Sequence, residues 1–240
     1  MTKQRLDQAV ALRGLVLTRS QAESWIKLGK VQVNGQVITK PGFSVAEDAR
    51  IELKTSEQYV SRAGLKLASV ADTLKLNFKG KVMLDVGSST GGFTDYALKR
   101  GASKVIAVEV GTSQLHPSLH NHPNIELHEQ TDIRDIDELS STPDIVVIDV
   151  SFISLRDILP HVAFLCGKQT QIVAMVKPQF EAIASNLKHK GVIKNDRMRR
   201  DILKSFEEWA HKRFVIADKA DSEIAGAKGN LERFYLLRKA

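Results

Sequence analysis

The sequence predicts an α/β chain: a small mixed α+β unit followed by an open, mostly parallel sheet of seven strands covered by helices. Three observations predict it. From Lys81 onward, short runs rich in Val and Ile alternate with helical stretches, the rhythm of βαβ units. Those runs are nearly continuous in apolar residues, which suits strands buried on both faces rather than one. The first 55 residues instead read as two short helices and a few short strands, and a chain of 240 residues has room for one or two domains at roughly 150 residues each.

Taken in order, Arg5 to Leu12 carries Leu6, Ala9, Val10 and Leu12 at helical spacings, and Gly14 breaks the pattern. In Leu17 to Lys30, Ser20 with Glu23 three residues on reads as a capping box, Ala22, Trp25 and Ile26 form the packed side, and Gly29 ends the helix. Lys30 to Gly35 alternates as a strand, Asn34-Gly35 signals a tight turn, and Ala49 to Leu53 reads as another strand. So small a unit buries little apolar surface and is expected to lean on a neighbour. Lys54 to Arg62 is polar and aperiodic, a linker or hinge, giving expected boundaries of 1–55, 56–62 and 63–240. Leu65, Leu67, Ala68, Ala71 and Leu74 then mark a helix face. The strands of the larger unit are Lys81–Gly87, Lys104–Val110, Ile125–Gln130, Asp144–Val150 and Gln171–Lys177. A long helix follows over Asp196–Lys212. Two closing strands, in FVIADKA and LERFYLLRK, form either a hairpin or a pairing with the sheet.

Composition narrows the function classes. No apolar run approaches the roughly 20 residues of a membrane span, and the N-terminus lacks the apolar core of a secretion signal, so a cytoplasmic chain without a membrane partner is expected. Cys166 is the single cysteine, which excludes an intrachain disulfide and a cysteine metal cluster. His116, His120 and His122 lie close together without a usual metal-ligand frame, so no metal is expected. The net charge of +7 permits a nucleic-acid partner. It is uneven: residues 1–60 hold 9 basic and 6 acidic side chains, and residues 185–213 hold 9 and 4. Trp25 and Trp209 sit at core spacings and read as packing residues.

The most informative segment is LDVGSSTGGFTDYAL, Leu84 to Leu98: a strand running through Asp85 into Gly87, Ser88 and Ser89, then Gly91, Gly92 and Phe93 at the start of a helix. It lacks both GxGxxG and GK[ST], which argues against a pyrophosphate cradle but not against a nucleoside. Glu109 stands at the end of the second strand, where a carboxylate accepts hydrogen bonds from ribose hydroxyls. Asp132 follows the third, placed for an adenine amino group, and Asp149 ends the fourth. Ligands of open α/β sheets bind outside the carboxyl ends of the strands, so Asp85, Glu109, Asp132 and Asp149 are carried toward one crevice. The combination resembles S-adenosylmethionine-dependent methyltransferases, whose cofactor has an adenosine but no phosphate. In that reading Asp85 serves the amino end of the methionine moiety, and Ser88 and Ser89 its carboxylate.

Lys66, Asp149, Lys177 and Glu232 suggest an alternating cluster of charges. A lysine at the end of a buried strand is unusual. Lys177 is the candidate to hold an attacking hydroxyl and take or steer its proton, or else to stabilise developing oxyanion charge. Residues 60–240 resemble the RrmJ/FtsJ-type ribose 2′-O-methyltransferases, whose Lys-Asp-Lys-Glu tetrad these four residues match in order. RLDQAV, YVSRAGLKL, DVGSSTGGFTD, VIDVSFISL, MVKPQFE and KGNLERF bring the whole chain close to the TlyA group, often labelled hemolysin A. That resemblance implies a Rossmann-like methyltransferase domain, S-adenosylmethionine as cofactor, and methylation of cytidine ribose in ribosomal RNA. An RNA base methyltransferase and a nonenzymatic ribosome-binding or assembly protein are the alternatives; direct hemolysis finds no support in a pore-forming segment. The first unit resembles the S4 RNA-binding module. Lys3, Arg5, Arg13, Arg19, Lys27, Lys30 and Arg62, with Lys188, Lys190 and Arg197 in the second basic stretch (and Lys194, Arg199 and Arg200 beside them), are expected phosphate contacts with ribosomal RNA or subunits.

Overall fold

The computed structural model describes residues 3–16, 18–54, 58–184, 191–193, 195–226 and 229–240, all but 183 and 184 with their side chains. Lys188, Lys190 and Lys194 lie outside the described residues.

The N-terminal unit is built from α1 (Leu6–Leu12) and α2 (Arg19–Lys27) against two small sheets. Strand β1 (Lys3–Arg5) pairs antiparallel with β4 (Ser44–Ala46), a pairing too short to leave a sequence pattern. Strand β2 (Val31–Val33) is flanked by β3 (Gln36–Val37) and β5 (Ile51–Leu53). Asn34 and Gly35 both have positive φ, 49° and 82°, as a two-residue hairpin turn of this hand requires. Leu6, Ala9 and Val10 of α1 are fully buried, whereas Leu12 is 79% exposed, so the last residue of the expected apolar face points to solvent. The cap of α2 also differs from expectation. Thr18, not Ser20, accepts from the Gln21 amide at 3.2 Å while Gln21 Oε1 accepts from the Thr18 amide at 3.3 Å. The local pattern allowed either register, and Ser20 falls inside the first turn, its carbonyl accepting from Ser24 Oγ.

The larger unit opens with α3 (Arg62–Ala71), followed by β6 (Val82–Val86), α4 (Gly92–Lys99), β7 (Lys104–Val108), β8 (Ile125–His128), β9 (Ile145–Ile148), α5 (Leu155–Leu165), β10 (Gln171–Val176), α6 (Pro178–Ala184), α7 (Asp196–Ala210), β11 (Phe214–Asp221) and β12 (Arg233–Lys239). Seven strands form one sheet in the order β11-β12-β10-β9-β6-β7-β8. Strands β6 to β10 are parallel; β12 runs antiparallel to β10 and β11 antiparallel to β12, so the closing pair is both a hairpin and an extension of the sheet. The connections on either side of β8 carry short 3-10 turns, Pro117–Leu119 and Ile133–Asp135, in place of α-helices.

Side chains alternate across the strands into two apolar layers. Met83, Val105, Ala107, Ile145, Val147, Val173 and Met175 face one layer. Leu84, Ile106, Val108, Val146, Ile148, Ile172 and Ala174 face the other. The first layer is continuous with the core of the N-terminal unit, including Leu6, Val10, Trp25 and Ile26, which is how so small a unit gains enough buried surface. The segment expected to be a hinge is fastened where it is described. Tyr59 is 4% exposed, its ring centroid 5.4 Å from that of Tyr96. Its carbonyl accepts from Gln21 Nε2 at 2.7 Å, and the Val60 amide donates to Asp95 Oδ2 at 2.9 Å. A buried aromatic and satisfied backbone groups hold these residues in one place, which composition does not reveal.

Candidate active site

The chain runs outward from β6 to β7 and β8, then returns to place β9 on the other side of β6. Such a reversal leaves a crevice beyond the carboxyl ends of the two central strands. Gly87 follows β6 at φ 80°, and a Cβ there would stand 2.9 Å from the Asp149 carbonyl oxygen, so only glycine allows the two strand ends to approach this closely. Gly91 is left-handed at φ 83° and starts α4. Gly92 has a different role from a ligand cradle: a Cβ on it would meet Ala63 Cβ and the Gly64 nitrogen at 2.8 Å, so it lets α3 pack on α4. Phe93 also departs from the expected cofactor contact. Its side chain is 2% exposed and packs against Phe234 in the core, because the first turn of α4 directs it inward.

A cleft of about 370 Å³ lies at this point, lined by Gly87, Ser89, Glu109, Gln114, Asp132, Asp149, Ser151, Phe152, Ile153 and Ile158 among others. Glu109 accepts from the Ser89 amide at 2.9 Å and the Gly111 amide at 2.8 Å, bonds that hold both loops around it. Asp132 caps the turn after β8 and is gripped by Arg134 at 3.0 and 2.7 Å, which holds its carboxyl below the usual range. Asp85 is 1% exposed and accepts from Thr94 Oγ1 at 2.7 Å. Burial, with Asp149 and Glu109 nearby, pushes its carboxyl up to about 7. Asp85 Oδ1 and Ser88 Oγ are buried with no hydrogen-bond partner, as is Ser61 Oγ at the start of α3. Unsatisfied buried acceptors beside a recessed, acid-lined cleft fit a ligand that brings its own donors and positive charge; they do not fit a phosphate. S-adenosylmethionine, with an ammonium, a sulfonium and ribose hydroxyls, is such a ligand.

The two lysines are each committed to one carboxylate. Lys177, one residue past β10, places Nζ 2.5 Å from Asp149 Oδ1 and 2.9 Å from Ser151 Oγ. Lys66, on α3, reaches Glu232 Oε2 at 2.5 Å, with side chains only 9% and 3% exposed. The sheet explains how residues far apart in sequence meet. Val176 pairs with Arg233, so Lys177 and Glu232 lie beside each other across β10 and β12. Ala174 pairs with Ile148 and Ile148 with Val86, which sets Asp149 level with Met175 and Gly87, and Lys177 level with Ser151. Neighbouring strands sit about 4.8 Å apart, so Glu232, Lys177, Asp149 and the glycine turn follow one another along this end of the sheet, with Lys177 two residues farther out than Asp149 and its side chain reaching back to it. Ser151 and Thr94, partners of Lys177 and Asp85, went unread in the sequence. A hydroxyl next to an acid is too common a signal to single out.

The candidate phosphate contacts divide. Arg5 and Arg19 both hold the fully buried carboxylate of Asp7, at 3.0 and 2.8 Å, yet remain 49% exposed. Arg13 is instead tied to the carbonyls of Ala49 at 2.5 Å and Glu47 at 2.6 Å, so its guanidinium braces a loop. Lys3, Lys27, Lys30 and Arg197 are exposed, with Lys27 4.0 Å from Glu23, and Arg62 is half-buried. Arg199 is held by Asp221 at 2.6 Å, which removes it from a basic surface.

Residues 59–239 match the FtsJ-like methyltransferase model, three-quarters of the chain and every strand of the site. The chain belongs to the FtsJ-like methyltransferase family. Residues 4–51 match the S4 domain model. Among similar proteins, the 16S/23S rRNA (cytidine-2′-O)-methyltransferase TlyA of Mycobacterium tuberculosis is 34% identical over 98% of this chain and 89% of its own length. Hemolysin A of Brachyspira hyodysenteriae is 36% identical over 95% of this chain and 97% of its own. A solved structure from Streptococcus thermophilus, also carrying a hemolysin name, is 36% identical, covers all of this chain and 90% of that one, and superposes with a TM-score of 0.73. Among the described residues, no helix is long and apolar enough to cross a membrane.

Proposed function

We propose that this family member transfers a methyl group from S-adenosylmethionine to the ribose 2′-hydroxyl of a cytidine in ribosomal RNA, in the cytoplasm. Residues 1–55 grip RNA through Lys3, Arg5, Arg19, Lys27 and Lys30, residues 56–62 join the two units, and residues 63–240 hold the chemistry. The observation that carries the reading is the Lys177–Asp149 pair at 2.5 Å on the rim of a cleft suited to a phosphate-free nucleoside.

The cofactor supplies a methyl group already activated on sulfonium, so the protein's task is alignment and charge balance. Gly87, Ser88, Ser89 and Gly91 shape the turn around its methionine end, with Asp85 and Ser88 offering unpaired oxygens to donors there. Glu109 and Asp132 face its nucleoside end. An ammonium has three donors and, in its paired form, no lone pair. Lys177 therefore holds the attacking 2′ oxygen by donating to it and steadies the negative charge that grows as its proton departs, while Asp149 orients the ammonium and offers an oxygen to receive the proton. Lys66 and Glu232 close the row from the other side and fix the position of β12 beside Lys177.

The test is transfer of labelled methyl from S-adenosylmethionine to purified ribosomal subunits, followed by nuclease digestion to identify 2′-O-methylcytidine. Lys177→Ala is expected to lower turnover about 10²- to 10³-fold, the usual loss of one preorganised donor, with cofactor affinity unchanged. Methylation on a base, or full ribose methylation by this variant, contradicts the reading.

A further inference from the structure

Lys177 is aimed by a loop. Its two acceptors, Asp149 at 2.5 Å and Ser151 at 2.9 Å, both belong to the segment between β9 and α5, residues 149–154. A lysine stem is long and flexible, so its ammonium rests where those acceptors stand. The segment is not a relaxed one. Phe152 is left-handed at φ 66°, a conformation that persists in a bulky residue only where the surroundings enforce it. The start of the loop is fixed, because the Asp149 amide donates to the Val86 carbonyl at 3.0 Å. The far end needs a fixed point as well.

Glu181, on α6 and 1% exposed, supplies it. The Phe180 and Glu181 amides both donate to the Lys177 carbonyl, at 2.9 and 3.3 Å, so the lysine and the acid share one turn of chain. From there Glu181 Oε1 accepts from the Leu155 amide at 2.6 Å, and Oε2 accepts from Ser154 Oγ at 2.8 Å. Arg156 Nε stands 3.5 Å from the same Oε2. Capping α5 does not call for this acid. Ser154 already serves as the cap, its Oγ accepting from the Arg156 amide at 3.1 Å. Nor does the fold gain from the charge. Burial raises the Glu181 carboxyl above its ordinary value, although the Leu155 amide, Ser154 and Arg156 all lower it, so ionising it opposes folding.

We propose that Glu181 is a positioning residue for methyl transfer, its carboxylate clamping the α5 end of the 149–154 loop so that Asp149 and Ser151 hold the Lys177 ammonium on the attacking hydroxyl. The proposal rests on the ribose methylation proposed above. One turn of chain grips the loop twice, through Lys177 at Asp149 and Ser151 and through Glu181 at Ser154 and Leu155. Glu181 touches no reacting atom and acts through Lys177. What it controls is distance, and a displacement of about 1 Å at a reacting group costs on the order of 10²-fold in rate.

The experiment measures kcat and KM for full-length Glu181→Ala and Glu181→Gln, each in the wild-type and in the Lys177→Ala background. The RNA probe is ribosomal subunits from cells lacking this methyltransferase, and cofactor binding is read separately by calorimetry. Glu181→Ala is expected to lower kcat roughly 10- to 100-fold, with KM for subunits and the Kd for S-adenosylmethionine unchanged. Glu181→Gln recovers most of that loss, because its amide oxygen accepts from the Leu155 amide and its NH2 donates to Ser154 Oγ. With Lys177 already removed, Glu181→Ala costs less than about threefold more, since residues that act as a unit are not additive. A merely structural role predicts the same fold-loss in both backgrounds, and that result overturns the proposal. Wild-type kcat in Glu181→Ala overturns it too, as does a loss carried by KM or Kd. Glu181→Gln no better than Glu181→Ala assigns the effect to charge and not to the clamp, which also overturns it. Should Glu181→Ala fail to fold, Glu181→Asp, too short to reach both donors, takes its place in the same comparison. Wild type that leaves ribose unmethylated on these subunits takes the underlying reading down as well, an outcome distinct from any difference among variants.

Discussion

Lys66 and Glu232 are the more deeply buried of the two ion pairs, and removing one partner leaves the other as an uncompensated charge. Lys66→Ala is therefore expected to destabilise the fold by about 3–5 kcal/mol in urea denaturation, and the Lys66→Ala, Glu232→Ala double variant by less than the sum. Asp85 gives the residue scale its pH dependence. Its carboxyl is raised from the ordinary 3.8 to about 7 by burial. Between those values the native protein binds more protons than the unfolded chain, so stability falls as pH rises through the window. Asp85→Asn, which stays neutral, should lose this component: from pH 5 to pH 8 wild type drops in stability relative to the variant, measured by denaturation at each pH. A parallel pH profile for the two would refute the assignment. Asp85, Glu109, Asp132 and Asp149 were legible as strand-end acids from sequence. That Glu109 spends its oxygens on two backbone amides, and Asp132 on Arg134, was not, because those bonds depend on how the loops close.

At the scale of elements, the sequence pattern carried the strands and helices well and their ends less well. The Val- and Ile-rich runs and the Asn34-Gly35 turn were readable because burial on both faces and positive φ leave strong local marks. The cap of α2 was not: Thr18 and Ser20 are both good caps, and the choice falls on Thr18 with Gln21. Thr18→Ala should cost about 1 kcal/mol by chemical denaturation, whereas Ser20→Ala should be near neutral. The helix pair α3 and α4 makes a sharper claim. Gly92→Ala forces a methyl against Ala63 and the Gly64 backbone. It should cost about 1–3 kcal/mol and weaken cofactor binding, since α4 begins at the glycine turn. Calorimetry that finds unchanged cofactor affinity in this variant would detach the packing from the site.

For the whole molecule, the shared apolar layer means that the N-terminal unit and the sheet stabilise each other through Tyr59. Tyr59→Ala removes a buried aromatic from that junction. It should cost about 3–5 kcal/mol, the range of large aromatic truncations in cores, and split a single thermal transition into two in a scanning calorimeter. A single, unshifted transition would show that the junction contributes nothing. Binding to ribosomal subunits should weaken steeply with added salt, and a Lys27→Ala, Lys30→Ala variant, which leaves the Asp7 carboxylate paired, should show a shallower slope, because fewer counterions are released.

The class of fold, the glycine turn and the identities of the four charged residues are written in residue types at local spacings. What those residues do to one another is set by contacts between distant parts of the chain. Sheet order and register place Asp149, Lys177 and Glu232 on neighbouring strand ends, and the packing of α3 brings Lys66 to Glu232. Register joins residues tens of positions apart, and no local pattern encodes which strand becomes whose neighbour.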